Sequence, residues 1–108
     1  MLHPQAVFKI DQFTVPAPSR TEFLQRVSQT LEVLRAQRGF VQDFLLEHQT
    51  ENPASSTIIT IVEWENPEVM PAARAAVQAF HQNIGLDATT LYDRLGIKAD
   101  LKNYQQVL

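Results

Sequence analysis

Strand-like patterns of hydrophobic and polar residues occur in four segments of the chain. Residues 5–15 place β-branched and aromatic side chains in rough alternation with polar ones and end before Pro16, which cannot donate to a sheet ladder. Comparable segments predict further strands over 40–49, 56–65 and 97–107. The residues between the second and third segments are rich in turn formers and of hairpin length, so we predict that these two strands pair antiparallel.

Apolar residues at helical spacing predict a first helix between the first two strands. It covers about residues 20–37. Ser19 and Glu22 have the spacing of a capping box, in which each side chain satisfies a free backbone N–H at the start of the helix. Gly39 stands where a left-handed residue is expected to end it.

Two further helices are predicted between the third and fourth strands. Asn66 is a capping residue, and residues 67–70 are expected to form a separate turn because Pro71 has no N–H to donate. The alanine-rich residues 71–85 then form the second helix, and residues 87–96 form a short third helix capped by an aspartate and stopped by a glycine. The apolar face of the second helix is predicted to hold Ala73, Val77, Phe80 and Ile84.

This order of elements is the split βαβ pattern of a ferredoxin-like α+β fold, with a four-stranded antiparallel sheet and helices on a single face. We expect one domain over residues 1–108. Strands two and three carry apolar residues on both faces, with Phe40, Phe44 and Leu46 predicted to share one side of strand two. The chain has no spare element to cover the second face, so a second copy of the chain is predicted to cover it in a homodimer.

The composition and charge of the chain argue against some classes of partner. Hydrophobic residues make up 44% and charged residues 19%, as in an ordinary globular domain. The formal net charge is -3 and the nine Lys and Arg residues form no basic stripe, which argues against a nucleic-acid partner. No window approaches a membrane span, and the N-terminal residues lack a signal-peptide pattern, so no membrane association and a cytoplasmic location are expected.

The sequence predicts no bound cofactor. Cysteine is absent, which excludes thiolate nucleophiles and cysteine-ligated zinc. The three histidines are far apart in the chain and form no metal-binding motif, and no glycine-rich phosphate loop is present. We therefore expect the purified protein to carry no metal, flavin or haem.

Three stretches resemble the antibiotic biosynthesis monooxygenase domain: VEWENPE at the end of strand three, SRTEFLQRV at the start of the first helix, and RGF at the turn into strand two. The resemblance covers nearly the whole chain. It implies a dimer of ferredoxin-like protomers whose sheets face each other as an α+β barrel. The resemblance also implies an activity like that of the family members that oxidise hydroquinones or polycyclic aromatics with O2, without metal or flavin.

The resemblance transfers to some positions and not to others. Trp64 matches the tryptophan at the strand end, but Thr60 stands where members that oxidise aromatic polyketides have an asparagine. Haem-degrading relatives place an asparagine at the position of Asp11, a tryptophan near Ala73 and a histidine near His81, and only the histidine is matched. Haem degradation is therefore the less favoured alternative.

Two main functions stay open from the sequence. One is a cofactor-independent monooxygenase acting on a small quinol or aromatic polyketide, with Trp64 as a pocket wall and His81 or Asp11 as the proton acceptor. The other is a non-catalytic dimeric module that binds a small apolar or aromatic molecule. Each candidate also has a purely structural interpretation: Trp64 as a core residue, and Asp11 and His81 as solvated side chains. Further substrate contacts are predicted from Phe44, Thr60 and Tyr92.

Overall fold

A computed structural model describes residues 5–49 and 51–108, and over these residues the predicted elements are present in the predicted order. Single turns of 3-10 helix precede the first two α-helices, and the turn at Pro67–Val69 confirms that the segment before Pro71 is separate. The elements are β1 (Val7–Pro16), α1 (Arg20–Arg35), β2 (Phe40–Gln49), β3 (Ser55–Trp64), α2 (Met70–Asn83), α3 (Ala88–Leu95) and β4 (Lys98–Gln105).

The four strands form one antiparallel sheet in the order β2-β3-β1-β4. β2 and β3 pair as the predicted hairpin, and β1 lies between β3 and β4. Val7 at the start of β1 is opposite Trp64 at the end of β3, and Asp11 is opposite Thr60. The ferredoxin-like α+β fold predicted from the order of elements is therefore confirmed.

The helices cover one face of the sheet and bury it. Every second residue of β3 from Ser56 to Trp64 is buried, which is the alternation of a strand covered on one side. The buried apolar side chains form two clusters. The first contains Phe13, Val15, Phe23, Ile58, Leu91, Leu95 and Ile97, and the second contains Val7, Leu31, Val62, Trp64 and Ala73.

The other face of the sheet, called the open face below, is also apolar. A β-bulge between Phe40 and Gln42 shifts the alternation of β2, so that Phe40 packs against Trp64 on the helix side. The prediction that Phe40 shares a face with Phe44 and Leu46 is therefore wrong. The open face carries Phe8, Ile10, Phe44, Leu46, Ile59, Ile61 and Tyr104.

The predicted capping box at the start of α1 is wrong, because long-range contacts occupy both of its side chains. The Ser19 hydroxyl donates to the carbonyl oxygen of Leu95 at 2.7 Å and makes no cap hydrogen bond. Glu22 pairs with Arg94 of α3. These contacts fasten the start of α1 to the end of α3.

Gly39 has the predicted left-handed backbone, with φ at 87°, but it does not end α1, which stops at Arg35. A Cβ at Gly39 would lie 2.6 Å from Cγ2 of Val69, so a glycine is required by this close approach as well as by its φ. The caps predicted for the later helices are confirmed: Asn66 accepts from the N–H of Val69 and Asp87 from that of Thr90. Within residues 5–49 and 51–108, every helix is too short or too polar to cross a bilayer.

Candidate active site

A cavity of about 430 Å³ lies between the three helices and the covered face of the sheet. This volume is within the range of small-molecule sites. Members of both core clusters line it, so the cavity occupies the region where the two clusters meet. Its apolar wall includes Phe23, Val27, Leu31, Val62, Leu91 and Leu101.

Five of the six site residues predicted from sequence line this cavity, although they come from four different elements. Phe44 does not, because it lies on the open face of β2, where its side chain is 48% exposed. Its assignment as a substrate contact in the same site is corrected by this position. The five residues that converge are Asp11, Thr60, Trp64, His81 and Tyr92.

Trp64 is both a core residue and a wall of the cavity. Its side chain is only 2% exposed, and its ring meets that of Phe40 edge to face, with the centroids 5.9 Å apart. Val62 and Ala73 belong to the same buried cluster. The two interpretations left open by the sequence therefore both describe this side chain.

Asp11 points into the cavity and is paired with Lys9, two residues earlier on the same face of β1. The Lys9 ammonium donates to both carboxylate oxygens of Asp11, at 2.7 and 2.8 Å. Burial raises the pKa of Asp11 above the ordinary aspartate value, and the hydrogen bond and charge of Lys9 oppose that rise. The pair thus keeps a carboxylate next to an apolar space where an isolated charge would be costly.

His81 reaches the cavity from α2 because it follows Ala73 and Val77 at intervals of four residues. Its Nε2 lies 3.1 Å from Oγ1 of Thr30, and which of the two donates depends on the tautomer of the ring. Burial lowers the pKa of His81, and the positive charge of Arg26 lowers it further. At neutral pH the ring is therefore a neutral imidazole.

The predicted apolar face of α2 needs one correction at its C-terminal end. α2 ends at Asn83, so Ile84 lies outside it and is 39% exposed. His81 takes the inward position there. Because histidine is polar, a pattern of apolar residues at helical spacing does not include residue 81.

Tyr92 and Thr60 complete the polar part of the site. The ring of Tyr92 packs 5.8 Å from that of Phe13, and burial together with the negative charge of Asp11 raises the pKa of Tyr92. Its phenol therefore stays protonated and can donate a hydrogen bond. Thr60 is 7% exposed and lies directly opposite Asp11 in the sheet.

The sequence predictions missed several polar residues of the cavity wall, among them Lys9, Arg26 and Thr30. Lys9 is separated from Asp11 by one residue, the spacing of two side chains on one strand face. Arg26 follows Phe23 by three residues, and Thr30 follows Arg26 by four, which are both helical spacings. These intervals are the sequence signal that would have found them. Among the described residues, no group of three or more His, Asp or Glu side chains is arranged to hold a metal ion.

The family follows from a comparison with protein-family models. The model described as antibiotic biosynthesis monooxygenase matches residues 6–83, more than half of the chain. The chain belongs to the antibiotic biosynthesis monooxygenase family. The resemblance seen in the sequence is thereby confirmed. No curated protein sequence is significantly similar to the chain.

Solved structures with the same fold include a cofactor-independent oxygenase. SnoaB, a cofactor-independent oxygenase from Streptomyces nogalater, is 20% identical, with a TM-score of 0.69 over 96% of this chain and 95% of that chain. A MhuD variant with manganese protoporphyrin IX in its active site is 21% identical, with a TM-score of 0.67 over 94% and 95%. A conserved protein from Methanosarcina mazei Go1 is 14% identical, with a TM-score of 0.70 over 97% and 96%. At these identities the likeness shows the fold alone.

Proposed function

We propose that this member of the antibiotic biosynthesis monooxygenase family is a cofactor-independent monooxygenase that oxidises a small quinol or an aromatic polyketide-like substrate with O2. The observation that carries the proposal is the convergence of two proton acceptors, Asp11 and His81, on one largely apolar cavity beside Trp64. Family membership and the fold shared with SnoaB support it.

The chemistry requires a substrate that becomes electron-rich when it loses a proton. For an anthrone-like methylene, a base removes one C–H proton, and the carbanion gives an electron to O2. The resulting radical pair joins to form a peroxide anion, which takes the proton back from the base. The hydroperoxide then loses water to leave a ketone. One oxygen atom of O2 enters the product and the other leaves as water, so the CH2 group supplies all the electrons and no other reductant is needed.

The residues of the cavity suit this reaction. The ion pair with Lys9 favours the ionised form of Asp11, and His81 is neutral at physiological pH, so each can accept a proton. We expect the hydroxyl of Tyr92, a residue of the cavity wall, to donate to the oxygen on which the substrate anion carries charge. The apolar wall holds the aromatic rings and excludes water, which strengthens these interactions.

The direct test is oxygen uptake with a panel of hydroquinones and anthrone-like compounds, using protein dialysed against a chelator. We expect uptake above the spontaneous rate, falling as the pH is lowered from 6.5 towards 3.8, the ordinary values for histidine and aspartate. The sign follows because a protonated acceptor cannot take the substrate proton. If His81 is the acceptor, the pKa of His81 sets the pH of this fall, and the His81→Gln variant loses the pH-dependent uptake. If Asp11 is the acceptor, the His81→Gln variant keeps both the uptake and its fall at acidic pH.

Uptake at the spontaneous rate across the whole panel would contradict the proposal. It would favour the second candidate, a non-catalytic module that binds an apolar or aromatic ligand in the same cavity. The observation behind this alternative is Thr60, which stands where polyketide-oxidising members of the family have an asparagine. Haem degradation is less favoured, since Ala73 stands near the position where haem-degrading members have a tryptophan.

We also propose that the protein works as a homodimer whose sheets face each other. Phe44, Leu46 and Tyr104 are 48%, 48% and 45% exposed on the open face, and an apolar sheet face of this extent is normally covered. Light scattering after size exclusion should give twice the chain mass at micromolar concentration. Leu46→Lys should yield a monomer or aggregate, because a charge would be buried between the sheets.

The matched control for the dimer is Gln25→Lys, which adds the same charge to an exposed position on α1. It should leave the mass unchanged. A wild-type monomer without aggregation would contradict the dimer, and so would a Leu46→Lys protein that remains dimeric.

A further inference from the structure

The cavity wall contains a half-buried cationic group, Arg26, whose hydrogen-bonding capacity is only partly used. Arg26 lies on α1, and its Nη1 donates to Oε1 of Gln29 at 3.2 Å. Its Nε is buried and has no hydrogen-bond partner among residues 5–49 and 51–108, the only such buried side-chain nitrogen or oxygen found there. Buried N–H groups are nearly always paired in native proteins, so the guanidinium of Arg26 has donor capacity that the described residues leave unused.

The charges around Arg26 indicate the sign of that partner. Three cations, Lys9, Arg26 and Arg74, line the cavity together with one carboxylate, that of Asp11. This carboxylate is already paired with Lys9, whose ammonium donates to both of its oxygens. The cavity therefore has an excess of positive charge.

Glu22, one helical turn before Arg26 on α1, does not neutralise Arg26 by a direct bond. The charge of Arg26 contributes to lowering the pKa of Glu22, but the larger cause is the hydrogen bond that Glu22 accepts from Arg94. Glu22 is thus held by α3. A water molecule on Nε of Arg26 would satisfy the N–H and leave the charge of the cavity unbalanced.

We infer that Arg26 forms an anion subsite, and that the ligand of this cavity is an aromatic molecule with one anionic oxygen group, such as a carboxylate or a phenolate. A guanidinium is a planar fork of N–H donors that matches two carboxylate oxygens. The aromatic body would then extend along the apolar wall towards Trp64. The inference rests on the proposed function for the identity of the cavity as the substrate site, and it adds the charge of the substrate.

Binding of two matched probes tests this without any oxidation. We would titrate the protein by calorimetry with 2-naphthoate and with the neutral 2-naphthalenemethanol. Since hydrogen bonds to charged groups are strong, we expect the wild-type protein to bind the anion about tenfold or more tightly than the alcohol. Arg26→Gln should abolish this preference by weakening naphthoate binding while leaving the affinity for the alcohol unchanged.

Two further variants keep the test decisive. Arg26→Lys retains the charge without the planar fork and should show an intermediate preference. Arg38→Gln removes the same charge from an exposed position outside the cavity and should behave as the wild type. If Arg26→Gln does not fold, the wild-type comparison and Arg26→Lys decide the matter.

Equal wild-type affinities for the two probes would overturn the inference, as would an Arg26→Gln protein that keeps the preference. These outcomes are separate from a failure of the proposed function. An anion preference without oxygen uptake on any substrate would support the subsite and contradict the oxygenase. Oxygen uptake without an anion preference would support the oxygenase and contradict the anion subsite.

Discussion

Asp11→Asn is expected to lower the rate of O2-dependent oxidation by about 10²- to 10⁴-fold, the usual contribution of a general base. The amide keeps the size and shape of the side chain opposite Thr60 but cannot accept the substrate proton. Binding of the substrate should change much less, because the apolar wall is untouched. Initial rates of oxygen uptake at saturating substrate measure the effect.

The chain offers a close control for this substitution. Asp93 is an exposed aspartate on α3 that does not line the cavity and lies away from the open face. Asp93→Asn should therefore leave the rate unchanged. Lys9→Gln should shift the acidic fall in rate to higher pH, since Lys9 lowers the pKa of Asp11. A wild-type rate in Asp11→Asn would assign proton removal to another group, His81 first.

Trp64→Ala is expected to lower the free energy of unfolding by about 3 to 5 kcal/mol, the typical cost of removing a buried aromatic side chain. The ring is 2% exposed and contacts Phe40 edge to face, so its removal takes away packing that is almost entirely buried. A domain is stable by only about 5–15 kcal/mol, which makes this a large loss. Chemical denaturation measures it.

Trp64→Phe separates the two roles of the residue. It retains an aromatic ring in the core and should keep most of the stability, while the smaller ring enlarges the cavity and weakens binding of aromatic probes. A Trp64→Ala protein as stable as the wild type would show that the ring is not a core element. Unchanged probe affinity in Trp64→Phe would show that it is not a functional wall.

Local patterns predicted the elements well because strand alternation, helical spacing and caps depend on neighbouring residues. Asn66 and Asp87 cap their helices as expected, and Gly96 ends α3 with φ at 71°. Ser19 failed as a cap because its hydroxyl bonds Leu95, which is distant in the chain. A local rule cannot anticipate a partner that only the folded chain brings near.

The sequence predicted individual residues of the candidate site, but it did not predict which of them lie together in one cavity. Trp64 was found from its place at a strand end, and Asp11 and His81 from their chemistry. Phe44 was misplaced because a single bulge at the start of β2 decides which face its side chain takes. Arg26 was missed because an arginine on a helix is usually solvated, and only the structure shows that its Nε is buried.

The sequence by itself determined the order of the elements, the α+β fold class, the apolar character of both sheet faces and the family resemblance, since each depends on residue types and short intervals. The tertiary structure alone decided the register of β1 against β3, the bulge of β2, and the convergence of three helices on one cavity. These features depend on contacts between residues far apart in the chain. The free energy of such contacts comes from packing in three dimensions, which no short window of sequence contains.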